Sequence, residues 1–256
     1  MRFKFTLTPN LSAWGNALPQ SNLYEISEWL HASFLAHAEL FSSWLGENGL
    51  PTDIDRFDQF CYSRLFIPSF GKERDRLLIG SEPIEWYLSL FPEKHTKEMV
   101  CAVFENQQAF IGDFLTKVEF RVSKIEQLES PDFRSMKFRT LSPLYLPIQR
   151  RDGSLMSISP ETLNYDNLFF QRLKEKYVAC SGKPYDGDPT FSFRLLDTPY
   201  SSSVIVNAGM KNELKIRGFD ASFLLEADPE LLRVGYEAGF GEKNTIGFGM
   251  VEYLPY

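Results

Sequence analysis

The chain has 256 residues, of which 43% are hydrophobic, so it is long enough to bury a sizeable core. Its formal net charge of −7 argues against a protein that coats nucleic acid indiscriminately, and any RNA site must therefore be local. Three cysteines and three histidines without ligand spacing indicate neither disulfides nor a metal, and we expect no cofactor. The sequence shows neither a secretory signal nor an apolar run of membrane-spanning length, which predicts a cytoplasmic protein outside the membrane.

The first half of the chain alternates strands and helices. Residues 2–8 place apolar side chains at every second position, which predicts a half-buried strand. Helical spacing then runs from Leu23 to His37, and a second short helix is predicted from Ala38 to Leu45. The remaining predictions are strands at 57–67, 77–80, 85–91 and 115–122 and a helix at 96–105. This order is compatible with a βαββαβ unit.

The second half repeats this plan. We predict strands at 137–146, 155–159, 190–196, 203–207, 214–225 and 249–254, with helices at 160–178 and 230–236. The sequence therefore predicts an α+β protein made of tandem ferredoxin-like (RRM-like) domains, residues 1–130 and 131–256. A glycine-rich loop lies near the C-terminal end of the second domain.

The run GFGEKNTIGFG, residues 239–249, follows a predicted helix and precedes a strand. A dinucleotide fingerprint needs the reverse order, and the spacing of a P-loop is absent. An open glycine loop can hold an anion on its backbone N–H groups, although the same run could be a mere tight turn. RNA phosphate becomes a candidate ligand, and the candidate contacts are Gly239, Gly241, Lys243, Asn244, Gly247 and Gly249.

Basic charge collects between residues 134 and 151, which contain five basic and no acidic side chains. A basic strand face could follow a phosphate backbone, and the candidate RNA contacts here are Lys137, Arg139, Ser142 and Arg150. A second basic patch comprises Lys211, Lys215 and Arg217. Charges of this kind also protect solvated strand edges from aggregation, so both interpretations stay open.

Three segments of the sequence resemble a known family. LLRVGYEAGFGEKNTIGFGMVE (231–252), TLSPLYLPI (140–148) and RFKFTLTP (2–9) are similar to the CRISPR repeat-processing endoribonucleases of the RAMP superfamily. The resemblance implies tandem ferredoxin-like domains and cleavage of the repeat in CRISPR precursor RNA. In that metal-independent reaction a ribose 2′-hydroxyl attacks the adjacent phosphate, leaving a 2′,3′-cyclic phosphate and a 5′-hydroxyl. Repeat RNA is the implied partner, CRISPR effector subunits are further candidates, and the sequence leaves monomer and homodimer open.

The sequence departs from that family at the catalytic centre. Members commonly carry a tyrosine in the first helix and a histidine in the next, where this chain has His31 and Gly46, and their following lysine has no match. His31 and His37 are therefore the candidate proton-transfer residues, because the reference pKa of histidine lies near working pH. Three hypotheses remain: an active endoribonuclease, a repeat-RNA-binding protein without cleavage, and a structural subunit of an effector complex.

Overall fold

The computed structural model of the chain describes residues 1–254. Within that range the helices are α1 (Leu23–Ala36), α2 (Ala38–Glu47), α3 (Thr96–Phe104), α4 (Tyr165–Ser181) and α5 (Pro229–Ala238). The strands of the first half are β1 (Arg2–Pro9), β2 (Ala17–Pro19), β3 (Phe60–Tyr62), β4 (Phe70–Glu73), β5 (Arg76–Ile79), β6 (Ile84–Leu90), β7 (Gln108–Gly112) and β8 (Lys117–Leu128). Those of the second half are β9 (Met136–Thr140), β10 (Pro147–Gln149), β11 (Leu155–Ser157), β12 (Ser192–Leu195), β13 (Tyr200–Val206), β14 (Leu214–Asp220), β15 (Ser222–Glu226) and β16 (Val251–Leu254).

The first half folds around a five-stranded antiparallel sheet in the order β3-β6-β1-β8-β7. Strand β1 lies at its centre because Phe3, Phe5 and Leu7 alternate with polar residues, and these three side chains are fully buried. Helices α1 and α3 contribute Trp29 and Phe104 to the same core. Apart from the added edge strand β7, the strand order is that of a ferredoxin-like βαββαβ domain.

The second half repeats this topology in a four-stranded sheet, β12-β15-β9-β16, with α4 and α5 as its helices. Its core is aromatic and includes Phe138, Phe169, Phe223 and Phe240. The prediction of an α+β protein with tandem ferredoxin-like domains is confirmed. The segment between β8 and β9 contains residue 130, and the division of the chain there stays a prediction.

Several strand predictions were wrong at their ends. The strand predicted at 137–146 stops at Thr140, because the amides of Leu141 and Ser142 both donate to Met250 O and Pro143 has no amide hydrogen. The strand predicted at 214–225 is two strands, since the chain leaves the β13–β14 hairpin after Asp220 and enters the main sheet. Strands β2, β4, β7 and β10 were missed, and the predicted strand at 57–67 is reduced to β3.

Side chains tie the two halves together. The guanidinium of Arg2, in β1, donates to Val251 O at 2.5 Å and to Tyr236 O at 2.6 Å. Arg64 forms a bidentate ion pair with buried Asp220, with both N–O distances at 2.8 Å. The glycine loop between α5 and β16 therefore lies at a fixed junction of the halves. No helix within residues 1–254 has the length and apolar character that crossing a membrane requires.

Candidate RNA interface and active site

The glycine loop, residues 239–250, is a packed element and not an open cradle. Gly239, Gly241, Gly247 and Gly249 all have φ between +70° and +95°, which favours glycine. Each also sits where a Cβ would collide: at Gly249 it would lie 2.0 Å from Phe240 O, and at Gly241 2.5 Å from Tyr145 O. Gly239, Gly247 and Gly249 are buried. The predicted order of helix, loop and strand is correct, but the expected openness of the loop was wrong.

Asn244 closes the loop from inside. Its side-chain amide donates to Phe240 O at 3.2 Å and to Phe248 O at 3.0 Å, and its Oδ1 accepts a hydrogen bond from Lys176 Nζ in α4. The side chain is only 4% exposed, so Asn244 packs inside the loop and does not stand in an open one. Neighbouring Lys243 has a left-handed backbone and an exposed side chain. Lys243 is therefore the loop residue whose side chain is available to RNA.

Ser142 is also a structural residue. It is fully buried, and its hydroxyl accepts a hydrogen bond from the amide of Met250 at 3.0 Å. Gly249 donates its amide to Pro143 O at 2.8 Å, one residue further on. The hydroxyl is enclosed where the loop meets the segment after β9, which weighs against a contact between this side chain and RNA. An RNA contact by Ser142 stays a prediction.

A cleft of about 580 Å³ gathers basic side chains beside the loop. Its cations come from separate parts of the sequence: Arg150 follows β10, Lys215 and Arg217 lie on β14, and Lys243 lies in the glycine loop. Tyr145 forms part of the wall, and no carboxylate of the described residues lines this cleft. We call it the basic cleft. Its charge and its aromatic ring suit a single-stranded nucleic acid.

Lys137 and Arg139 lie elsewhere, on β9. The guanidinium of Arg139 pairs with Glu252 on neighbouring β16, with N–O distances of 2.6 and 2.7 Å. Neither residue lines the basic cleft. The sequence interpretation that joined Lys137, Arg139 and Arg150 in one patch was therefore wrong, because β9 ends before the chain reaches Arg150 and the two groups face different surroundings. RNA contacts by Lys137 and Arg139 remain a prediction.

His31 lines a second cavity, of about 450 Å³, on the other side of the loop. Its Nε2 lies 2.8 Å from Asp55 Oδ1, and its side chain is 48% exposed. Because a carboxylate only accepts hydrogen bonds, Nε2 donates the proton and Nδ1 is left as the free nitrogen. Asp55 follows 24 residues after His31 and belongs to a short 3-10 turn, so no sequence periodicity pointed to this pair. We call this space the His31 cavity.

Carboxylates outnumber arginines in the described lining of the His31 cavity. Glu28, Asp55 and Asp58 contribute carboxylates, whereas Arg56 is its arginine. Thr245 and Ile246 of the glycine loop form its opposite wall. A phosphate group entering this cavity therefore needs contacts that outweigh repulsion from the carboxylates.

His37 does not line the His31 cavity. The predicted helix break is present, because His37 stands between α1 and α2, but its Nδ1 is hydrogen-bonded to Ser33 O of its own helix at 3.0 Å. Gly46 is exposed on α2, and a Cβ there would touch only Thr52 Cγ2, at 3.7 Å. The structure thus joins His31 with Asp55 and leaves His37 apart.

Comparisons with known proteins agree with this architecture. Residues 127–253 match the family described as CRISPR associated protein Cas6, C-terminal. The chain is 31% identical over 242 residues to CRISPR-associated endoribonuclease Cas6 1 of Methanocaldococcus jannaschii, covering 91% of this chain and 89% of the relative. It is 27% identical to the Putative CRISPR-associated endoribonuclease-like protein Cas6 of Pyrococcus furiosus, covering 75% of this chain and 74% of the relative.

A solved structure described as "An RAMP protein binding different RNA substrates" has the same fold, with a TM-score of 0.81 over 100% of both chains at 22% identity. The resemblance recognised in the sequence motifs is therefore confirmed. Since its similarity to the Methanocaldococcus relative extends over nearly its whole length, the chain belongs to the Cas6 family of CRISPR-associated endoribonucleases.

Proposed function

We propose that this protein binds the repeat of CRISPR precursor RNA and cleaves it without a metal, through attack of a ribose 2′-hydroxyl on the adjacent phosphate. One observation carries the proposal: the glycine loop borders the basic cleft with Lys243 and the His31 cavity with Thr245 and Ile246. An RNA strand whose phosphates lie in the cleft would cross the loop and reach a histidine. Holding the RNA strand at a fixed position relative to the histidine would align the 2′-hydroxyl with the adjacent phosphate, as such an intramolecular attack requires.

His31 would transfer the proton in this reaction. Asp55 fixes the ring by accepting from Nε2 at 2.8 Å, so Nδ1 is free to take the proton of the 2′-hydroxyl or, once protonated, to give one to the leaving 5′-oxygen. Asp55 would also stabilise the imidazolium that forms. Lys243 and the other cations of the basic cleft would hold the flanking phosphates. The negative charge of the phosphorane would be stabilised by the cations next to which the bound RNA strand places the scissile phosphate.

The test incubates the purified protein with labelled repeat RNA from its own CRISPR locus in EDTA. We expect cleavage, with mass spectrometry finding a cyclic phosphate on the upstream fragment. His31→Ala should slow cleavage by about a hundredfold or more, as expected for loss of a general acid or base. His37→Ala is the matched control and should cleave at the normal rate. A requirement for His37 and not His31 would contradict the assignment, and chelator-sensitive cleavage would contradict metal independence.

A second candidate function is repeat-RNA binding without cleavage. Two observations favour it: Gly46 occupies the position where the family commonly has histidine, and carboxylates outnumber arginine in the His31 cavity. Retention of repeat RNA with no product from the wild-type protein would establish this alternative. Contacts with CRISPR effector subunits, a monomeric or homodimeric state and a cytoplasmic location stay predictions.

A further inference from the structure

A third cavity, of about 480 Å³, lies between helix α4 and the glycine loop. We call it the α4 cavity. Its wall includes Lys243, which it shares with the basic cleft, and Asp58 and Thr245, which it shares with the His31 cavity. An RNA strand that runs from the basic cleft to His31 would therefore pass over the α4 cavity.

The α4 cavity contains a lysine whose ammonium group is fixed by a hydrogen bond but is not paired with a carboxylate of the described chain. Lys176 is half-buried in α4, and its Nζ donates to Asn244 Oδ1. No carboxylate within residues 1–254 forms a salt bridge with Lys176. Burial lowers the pKa of this lysine, and the nearby groups that raise it are Cys180, Cys61, Asp58 and Glu242. A partly desolvated ammonium with no carboxylate in salt-bridge contact is destabilised, and an incoming anion would relieve that cost.

Asn244 makes the position of this ammonium well defined. The amide of Asn244 is fixed by two backbone carbonyls of the loop, and Gly239 and Gly249 leave room for it: a Cβ at either would lie within 2.4 Å of Nδ2. Lys176 therefore meets a rigid acceptor. One of its three donors is used on Asn244, which leaves others for a ligand in the cavity.

Among the described residues, two of the three carboxylates that line the α4 cavity are already paired with an arginine. Arg172 lies 2.7 Å from Glu175 Oε2 and 3.0 Å from Glu242 Oε1, so it holds both glutamates. Asp58 is the remaining carboxylate of the wall, on the side shared with the His31 cavity. Lys176 and Lys243 are consequently the cations of this wall that remain for an anion, and Asp58 is the group that opposes it.

We propose that the α4 cavity binds one phosphate group of the RNA strand, with Lys176 and Lys243 as its cations and Asn244 as the residue that positions Lys176. This inference rests on the proposed binding of repeat RNA and adds a phosphate subsite between the basic cleft and His31.

The test compares Lys176→Met with Lys174→Met by fluorescence anisotropy of labelled repeat RNA at several salt concentrations. Lys174 is a matched control, because it lies on the same helix but its Nζ is 4.5 Å from the Phe170 ring centre and it does not line the cavity. We expect Lys176→Met to weaken binding roughly tenfold and to reduce the slope of log affinity against log salt by about 0.7. Lys174→Met should change affinity less than about twofold.

Lys176→Met also removes the partner of Asn244, so a second variant examines the cavity without changing the loop. Asp58→Asn removes the opposing charge and should tighten RNA binding by about two- to fivefold. Hydrogen exchange at the amides of Gly247 and Gly249 reports whether the loop stays ordered in each variant.

Equal weakening by Lys174→Met and Lys176→Met would show a general charge effect and overturn the subsite. An unchanged affinity in Lys176→Met or in Asp58→Asn would overturn it as well, while the proposed function would stand as long as the wild-type protein binds repeat RNA. A wild-type protein that binds no repeat RNA would instead refute the proposed function itself, and this inference with it.

Discussion

Replacing Gly249 with alanine measures how tightly the glycine loop is packed. Gly249 has φ of +83°, and its added Cβ would lie 2.0 Å from Phe240 O and 2.3 Å from Asn244 Nδ2. The left-handed backbone costs alanine about 1–2 kcal/mol, and forcing an atom into a packed site costs about 1–3 kcal/mol more. We therefore expect the free energy of unfolding to fall by about 2–5 kcal/mol.

Gly153→Ala is the control for this substitution. Gly153 has nearly the same φ, +82°, but no atom lies within 4 Å of its added Cβ. It should lose only the backbone contribution, about 1–2 kcal/mol. Urea unfolding followed by circular dichroism gives both values, and anisotropy with repeat RNA shows whether Gly249→Ala also weakens binding. Equal losses of stability in the two variants would refute the packed loop and restore the open cradle that the sequence suggested.

Three further predictions follow from the charges and the open positions of the fold. Arg150→Ala combined with Arg217→Ala should reduce the slope of log RNA affinity against log salt by about 1.4. Arg139→Ala should reduce that slope by less than half as much, because the guanidinium of Arg139 already pairs with a carboxylate. Equal slopes in the double variant and in Arg139→Ala would contradict this. Desolvation raises the pKa of Glu25 to about 7, so the folded state keeps a proton that the unfolded state releases and stability should fall as pH rises from about 4.5 to about 7. Thermal melts across that range should show a smaller fall in Glu25→Gln, and the same fall would mean that Glu25 ionises freely in the fold. Gly46→His should raise the rate of repeat cleavage by about tenfold or more, because it adds a proton-transfer side chain where the family commonly has histidine, and the added Cβ meets a single methyl carbon at 3.7 Å. An unchanged rate in single-turnover assays would place α2 away from the scissile bond.

The parts of the fold that the sequence predicted are those in which local pattern and packing agree. The period-two alternation of β1 gave a central strand whose apolar side chains are buried. The helix predicted at 230–236 is present as α5, and at its start Asp228 Oδ1 accepts from the amide of Glu230 at 2.9 Å. The division predicted between His37 and Ala38 also marked a real helix boundary.

The candidate site was harder to predict because its contacts join distant residues. Asp55 pairs with His31 across a helix hairpin, and Lys176 reaches Asn244 from another helix, 68 residues away. Asn244 stands among glycines, which suggested exposure, yet those glycines leave the space that its amide occupies. A run of glycines in the sequence shows where side chains are absent, but it does not show which group occupies the space they leave. Burial of a polar residue in such a loop therefore has no local sequence signal.

In the proposed function, the basic cleft and the His31 cavity would contribute differently to RNA processing, because their charges differ. The basic cleft has no carboxylate in its described lining, so it supplies attraction that salt screens. The His31 cavity carries more carboxylates than arginines, and attraction by net charge cannot bring a phosphate there. Under that proposal, the position of the strand there would depend on the shape of the cavity wall. Gly247 packs so closely on Leu23 of α1 that a Cβ would lie 2.6 Å from the leucine Cβ, and this packing holds Thr245 and Ile246 against the cavity. Salt should therefore weaken capture of the RNA while leaving the rate of cleavage in the bound complex nearly unchanged, because that rate depends on the position of the 2′-hydroxyl and not on long-range attraction.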